Sequence, residues 1–312
     1  MYTYIWREEA DLEIITVWVD DLMLFTTSKE LMIRMKTDIK SEWEVTDLGE
    51  LTKIVGIEIT RQGDLITISQ VRYIVRREGM LHVNPIATPL DPHIAIEPNP
   101  QGNKGSRSNA YTKVLGELQY LANAMRPDIA YAVNHLTSYT ANLSLQHMGA
   151  LKQILHYLAG TMTYGIMYLA SPSKNRGTNL FEGYADTTYN NIDKCKSTSG
   201  YIFTIGGGAI TWMSRKQNTT ALSTTEAAYI TLSEAGCKAS WLRSLYSKLG
   251  FPQLALTIIH RDNEGSIVMV KNPQFHRKSK HIEHKLHWIQ DAVESGIVAI
   301  ESCRDQTRPW MH

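Results

Sequence analysis

Leu180-Phe181-Glu182-Gly183-Tyr184-Ala185, closed by Asp186, is the stretch that decides the fold: a short strand-forming run that ends on a carboxylate. Working outward, strands are predicted at Tyr201–Ile205 and Ala209–Ser214, with Gly206-Gly207-Gly208 as the tight turn between them. A long helix follows, its stripe Leu232, Ala235, Ala239, Leu242, Tyr246 and Leu249 stopping at Gly250 and Pro252. A strand at Leu256–His260 and a short helix after Asn263 complete an α/β layer of modest size. Three carboxylates fall at element ends in this layer: Asp186 directly after a strand, Glu226 at the opening of the long helix, and Asp262 directly after another strand. Converging at one sheet edge, they would make a site for two divalent cations about 3.5–4 Å apart, the arrangement that cleaves phosphodiesters. Each acid also has an ordinary reading. Asp186 and Asp262 serve equally as strand-terminal turn residues, and Ser223-Thr224-Thr225-Glu226 fits a capping box in which Glu226 satisfies the Ser223 amide.

Upstream, the chain reads as strand (Ile14–Val19), turn (Asp20-Asp21) and strand (Leu22–Thr26). A helix opens at Ser28 with apolar Leu31, Met35 and Ile39, and strands follow at Ile54–Ile59 and Leu65–Ser69. The adjacent acids Asp20 and Asp21 repel each other, so they are either left in water at a polar turn or given divalent cations. Pro85, Pro89, Pro92, Pro98 and Pro100 crowd one stretch that ends in Gln101-Gly102-Asn103-Lys104-Gly105-Ser106, which marks an exposed connection. Helical spacing runs through Val114–Ala124, resumes after Pro127, and resumes again through Leu145–Leu158 until Gly160. A second polar break, Ser171 to Gly177, precedes the α/β layer. The expected units are therefore residues 1–105, 106–170 and 180–312.

The 312 residues carry 32 Lys+Arg against 31 Asp+Glu, a formal net charge of +1, with 43% hydrophobic and 20% charged residues. Those values describe a globular chain of about two domains and exclude a collagen-like or highly charged repeat protein. They also exclude a broadly basic surface, so any nucleic-acid site is a local patch. One such patch lies between Lys271 and Lys285, where Arg277, Lys278 and Lys280 accompany His276, His281 and His284 against the single acid Glu283. It suits a phosphate backbone, although a basic run is more often a solvated face. Cys195, Cys237 and Cys303 form no C-x-x-C pair, which argues against a disulfide framework or zinc knuckle and for a reducing, intracellular compartment, cytoplasmic or nuclear. No stretch is long and apolar enough for a membrane span, and Met1–Asp11 lacks the apolar core of a signal peptide.

The ordered words of the chain resemble the C-terminal part of a copia-type retrotransposon polyprotein, the end of its reverse transcriptase followed by its RNase H. Val17-Trp18-Val19-Asp20-Asp21-Leu22 resembles the polymerase Y-V-D-D-L motif, with Trp18 in place of Tyr. Asp47-Leu48-Gly49, Gly56-Ile57, Ile68-Ser69-Gln70 and Thr88-Pro89 follow in family order, then Leu115-Gly116, Tyr120-Leu121 and Arg126-Pro127-Asp128-Ile129 of the helical connection. The most specific words come last: Gly183-Tyr184-Ala185-Asp186, Lys196-Ser197-Thr198-Ser199-Gly200-Tyr201, Leu222-Ser223-Thr224-Thr225-Glu226-Ala227, Asp262-Asn263 and Lys280-His281-Ile282.

The resemblance implies an RNase H-like mixed sheet with flanking helices, preceded by a helical connection and a truncated α+β reverse-transcriptase palm. It implies that Asp186, Glu226 and Asp262 are the catalytic, metal-binding acids, holding Mg2+ (or Mn2+) with Asp186 bridging, and that the substrate is an RNA–DNA hybrid whose RNA strand is cut. Asp20 and Asp21 would be polymerase metal ligands. The family's polymerase needs a further Asp and a fingers subdomain upstream of them, so polymerisation by this chain alone is not expected, and the upstream part of the polyprotein is an expected partner. Two words depart from the family around the acids: Thr187-Thr188-Tyr189-Asn190-Asn191 stands where a further acid and a Trp are usual, and Ala228 stands in place of Glu. A fourth metal-binding Asp word is lost in Cys303-Arg304-Asp305-Gln306-Thr307. A catalytically inactive remnant that at most binds hybrid is the alternative.

Overall fold

The computed structural model of the chain describes residues 2–9, 11–70, 75, 78–80, 82–91, 94, 96–99, 107–169, 181–189, 196–262, 265, 267, 270 and 283–302. Strands β1 (Tyr2–Glu8), β2 (Asp11–Trp18) and β3 (Asp21–Thr26) form an antiparallel sheet in that order. Sequence reading did not anticipate β1, whose partner lies in the next hairpin arm. Helix α1 (Lys29–Glu42) packs against β3. Ser28 caps it by accepting from the Leu31 amide at 3.2 Å, and Leu31, Met35 and Ile39 are its buried stripe, as the periodicity predicts.

Strands β4 (Lys53–Ile54), β5 (Ile57–Gln62) and β6 (Leu65–Ser69) make a second antiparallel sheet. The predicted single strand over Ile54–Ile59 is broken by a tight turn at Val55 and Gly56, both at positive φ (47° and 78°). Helices α2 (Arg107–Ala124), α3 (Ala130–Thr137) and α4 (Leu145–Gly160) follow, with a 3-10 turn at Pro127–Ile129 ahead of α3. The chain then returns as β7 (Ile166–Leu169) to pair with β6. That pairing ties the first two expected units into one sheet.

The third unit holds β8 (Glu182–Thr188), β9 (Thr198–Ile205), β10 (Gly208–Lys216), α5 (Thr224–Lys248), β11 (Thr257–Arg261), α6 (Glu283–Glu294) and β12 (Val298–Ser302). The sheet order is β10-β9-β8-β11-β12, with β8, β11 and β12 mutually parallel and β9 antiparallel to both of its neighbours. Consecutive strands β8, β9 and β10 thus meander to one side while the βα crossovers build the other, an RNase H-like mixed sheet. Gly206 and Gly207 form the β9–β10 hairpin loop at φ 57° and 84°, a pair of left-handed residues that a type I′ turn demands and glycine supplies without strain.

Helices cover both faces of this sheet. On one, Ala185, Phe203 and Ile259 pack on Ala227, Ala235 and Leu242 of α5 and on Ile289 and Ala292 of α6. Gly183 is what lets β8 lie so close, since a Cβ there would stand 2.4 Å from the Phe203 ring. On the other face, Ile202 and Ala209 enter the core of the helical connection, with Tyr184 and Trp212 packed against it. Trp212 fixes the register of that packing by donating its indole N–H to the Ala122 carbonyl at 2.7 Å. Among the described residues no helix is long and apolar enough to cross a membrane.

Candidate active site

Alternation along β8 sets the site. Gly183 and Ala185 face the α5 core, so Tyr184 and Asp186 face the opposite side of the sheet. Asp186 is not a residue after a strand, as the sequence suggested. It is the fifth residue of β8, paired with Gly200 of β9, because the strand runs on to Thr188. In the parallel β8–β11 register His260 stands opposite Tyr184, so two residues further along both chains Asp262 comes level with Asp186. Both aspartates are exposed and both line one cavity of about 280 Å3. Asp186 Oδ1 accepts from the Thr187 amide at 2.7 Å.

Glu226 is placed differently. It is the third residue of α5, only 9% exposed, and absent from the lining of that cavity. Its amide donates to Ser223 Oγ at 3.1 Å, and its Oε2 accepts from the Leu222 amide at 2.7 Å. The capping motif in the sequence is therefore real, with the reciprocal bond shifted by one residue from Ser223 to Leu222. Among the described residues no group of three or more His, Cys, Asp or Glu converges closely enough to hold a metal ion. The structure brings Asp186 and Asp262 together and leaves Glu226 committed to the helix cap.

Beneath the aspartates runs a buried chain of polar side chains. Gln217 Nε2 donates to Ser199 Oγ (3.1 Å) and to the Ala227 carbonyl (2.8 Å), and the Thr231 hydroxyl lies 2.9 Å from Ser199 Oγ and 2.6 Å from Thr187 Oγ1. Arg261, 3% exposed, ends the chain by donating to Thr187 Oγ1 and to the Ala228 carbonyl, each at 3.1 Å. Such a network locks the two strands to the first turns of α5.

The far wall of the cavity belongs to the helical connection, through Pro127, Asp128, Ala130 and Tyr131. Asp128 is held there by Arg126, itself 2% exposed, through a bidentate pair whose shortest distance is 2.6 Å. Arg126 also reaches Thr161 O (3.2 Å) and Oγ1 (2.7 Å), and the Tyr157 hydroxyl donates to Asp128 at 2.8 Å. Burial first, and the Asp128 carboxylate second, push the Tyr157 phenol up to about 12. The sequence marks Arg126-Pro127-Asp128 as a word but carries no sign that its arginine is buried.

Asp20 and Asp21 occupy the tip of the β2–β3 hairpin and are exposed. The two-residue loop is Val19-Asp20 rather than Asp20-Asp21, since Asp21 already pairs with Trp18. Arg277, Lys278 and Lys280, like Asn263, lie outside the described residues. For a divalent cation the chemistry of the donors fits: Asp186 of β8 and Asp262, just after β11, offer hard oxygen ligands beside open solvent, and Mg2+ is commonly held by one or two carboxylates while keeping several waters.

Comparison with known proteins agrees with the words in the sequence. The family model described as reverse transcriptase (RNA-dependent DNA polymerase) matches residues 2–92. The retrovirus-related Pol polyprotein from transposon TNT 1-94 of Nicotiana tabacum is 33% identical over 303 residues, covering 94% of this chain and 22% of that polyprotein. Its counterpart from transposon RE1 of Arabidopsis thaliana is 34% identical over 288 residues, covering 91% and 19% respectively. The chain thus spans about a fifth of the length of these relatives. Among solved structures, the foamy viral protease–reverse transcriptase in complex with double-stranded DNA aligns over 95% of this chain and 46% of its own, at 14% identity and a TM-score of 0.49. With polymerase words and RNase H words alike aligned to such relatives along nearly its whole length, the chain belongs to the retrovirus-related Pol polyproteins of copia-type transposons.

Proposed function

We propose that residues 180–312 form a ribonuclease H-type endonuclease that cuts the RNA strand of RNA–DNA hybrids with Mg2+ or Mn2+. The observation that carries this reading is that Asp186 of β8 and Asp262, just past the end of the neighbouring parallel strand β11, line one solvent-open cavity. When bound, the cation supplies a Lewis acid that activates water and offsets charge on the scissile phosphate. Asp186 and Asp262 would hold it. Glu226 contributes a third carboxylate on releasing the Leu222 amide, which water can then satisfy. Hybrid would be gripped through its phosphates, with Arg277, Lys278 and Lys280 as the local basic patch that the nearly neutral chain requires. The substrate would be met inside the cell, in cytoplasm or nucleus.

A second reading, a remnant that binds hybrid without cutting it, is favoured by one specific observation: Glu226 already spends an oxygen on its helix cap. Incubating the purified chain with a hybrid labelled on its RNA strand separates the two. Cleavage in Mg2+ that is lost on chelation and in Asp262→Asn supports the nuclease, whereas binding without cleavage in either Mg2+ or Mn2+ supports the remnant.

A further inference from the structure

Among the described residues, three carboxylates line the cavity: Asp186 and Asp262 from the sheet, and Asp128 from the wall built by the helical connection. Asp128 is not gathered with the other two, since among the described residues no three such groups converge closely enough to hold a metal ion. It also differs from them in being tied from behind. Arg126 donates to its Oδ1 at 2.8 Å through Nε and to its Oδ2 at 2.6 Å through a terminal nitrogen, and the Tyr157 hydroxyl donates to Oδ2 at 2.8 Å. The guanidinium in turn donates twice to Thr161 and lies 5.5 Å and 5.7 Å from the ring centres of Tyr157 and Tyr164, so both halves of the pair are held in place.

Exposure is split unevenly across the pair: the Arg126 side chain is 2% exposed and that of Asp128 31%. The part left open to the cavity is therefore a hydrogen-bond acceptor. Its Oδ1 takes one bond from Arg126, and a carboxylate oxygen accepts two, which leaves room for a donor from a ligand. A lone carboxylate facing a polyanion repels it, but the buried guanidinium offsets that charge at close range. What remains is a fixed group that accepts and cannot donate. The ribose of an RNA strand carries a donor, its 2′-hydroxyl, where the DNA sugar has none. We propose that Asp128 is a specificity-determining residue that accepts a hydrogen bond from a 2′-hydroxyl of the RNA strand, with Arg126 and Tyr157 as the residues that position it. The proposal rests on the reading that the RNA strand of a hybrid enters this cavity to reach Asp186 and Asp262. A sugar without the hydroxyl leaves the acceptor desolvated and unsatisfied, and that penalty is the discrimination.

The test compares two hybrids of one sequence, RNA–DNA and 2′-fluoro-RNA–DNA, the second having no 2′-hydroxyl to donate. Binding to the full chain is read by fluorescence anisotropy in Ca2+, with strand integrity checked on a gel. The wild type is expected to favour the RNA hybrid. Asp128→Asn sets an amide donor against the hydroxyl, so it should weaken RNA-hybrid binding about tenfold and leave the 2′-fluoro hybrid nearly unchanged, collapsing the affinity ratio by the same factor. A merely structural role would weaken both hybrids alike and keep the ratio, and that result overturns the proposal, as does a wild type that binds the two equally. Should Asp128→Asn fail to give a cooperative melt, Asp128→Glu decides in its place, because it keeps the charge for Arg126 while moving the oxygens by one methylene, and it should lower the ratio in the same direction. Cleavage of the RNA strand in Mg2+, followed in parallel, separates the two readings. A chain that cuts the hybrid but keeps its ratio in the Asp128 variants loses this proposal alone, whereas a wild type that neither cuts nor binds hybrid loses both.

Discussion

At the scale of single residues, the three acids are distinguished by what their oxygens already do. Asp186 and Asp262 are exposed and share a cavity, so replacing either by Asn removes ligand charge at little structural cost. Each variant is expected to lose at least about a hundredfold in hybrid cleavage while melting within about 0.5 kcal/mol of the parent. Glu226 is buried and satisfies the Leu222 amide. Glu226→Ala should therefore lower unfolding free energy by about 1 kcal/mol, readable in a urea melt, in addition to any effect on cleavage. An unchanged melt would mean that the cap is not formed in solution. Val19, beside the hairpin acids, is at φ 52°, a conformation a β-branched residue avoids.

Elements show which parts of the fold can be read locally. The α1 stripe, the strand β6 and the stop of α4 at Gly160 all follow from periodicity and caps, and the structure matches them. Strands β1 and β7 were not legible, because β1 is stabilised by the following hairpin and β7 by β6, from which the whole helical connection separates it in the chain. The site was legible as residue types but not as geometry. Whether Glu226 meets the aspartates depends on where α5 docks, and the buried guanidinia of Arg126 and Arg261 look like ordinary surface charges in a sequence. One cap makes a further test possible. His147 at the start of α4 accepts the Ser144 amide on Nδ1 at 2.9 Å, with Nε2 3.0 Å from the Glu97 carbonyl. Only the neutral ring tautomer with its proton on Nε2 satisfies both. Burial pushes its pKa down despite the opposing Glu97 bond, and burial pushes His135 down as well. The unfolded chain then takes protons first, so their contribution is complete above the ordinary histidine value near 6.5 and is lost as pH falls from there toward the depressed folded values. Thermal melts at pH 8 and pH 5.5 should show a smaller acid-induced drop in Tm for His147→Gln, which keeps an acceptor for the cap but does not titrate.

For the whole molecule, the charge is nearly balanced and helices lie on both faces of the RNase H-like sheet. The hairpin acids Asp20 and Asp21 have no third carboxylate gathered with them among the described residues. Primer extension by this chain alone is therefore expected to be undetectable, and template-dependent incorporation that Asp20→Asn abolishes would contradict that expectation. Hybrid binding should depend on the basic patch: changing Arg277, Lys278 and Lys280 together to Gln should flatten the slope of log affinity against log salt by about 0.9 for each phosphate no longer neutralised, measured by fluorescence anisotropy. An unaltered slope would make that stretch a solvated face. The central claim, that Asp186 is a metal-holding catalytic acid of a hybrid-specific ribonuclease, is tested most directly by one cleavage assay using a hybrid with separate labels on its RNA and DNA strands. Wild-type chain should shorten only the RNA label, only with Mg2+ or Mn2+, and Asp186→Asn should leave both strands intact. RNA cleavage that persists in Asp186→Asn or in the presence of chelator would contradict the account.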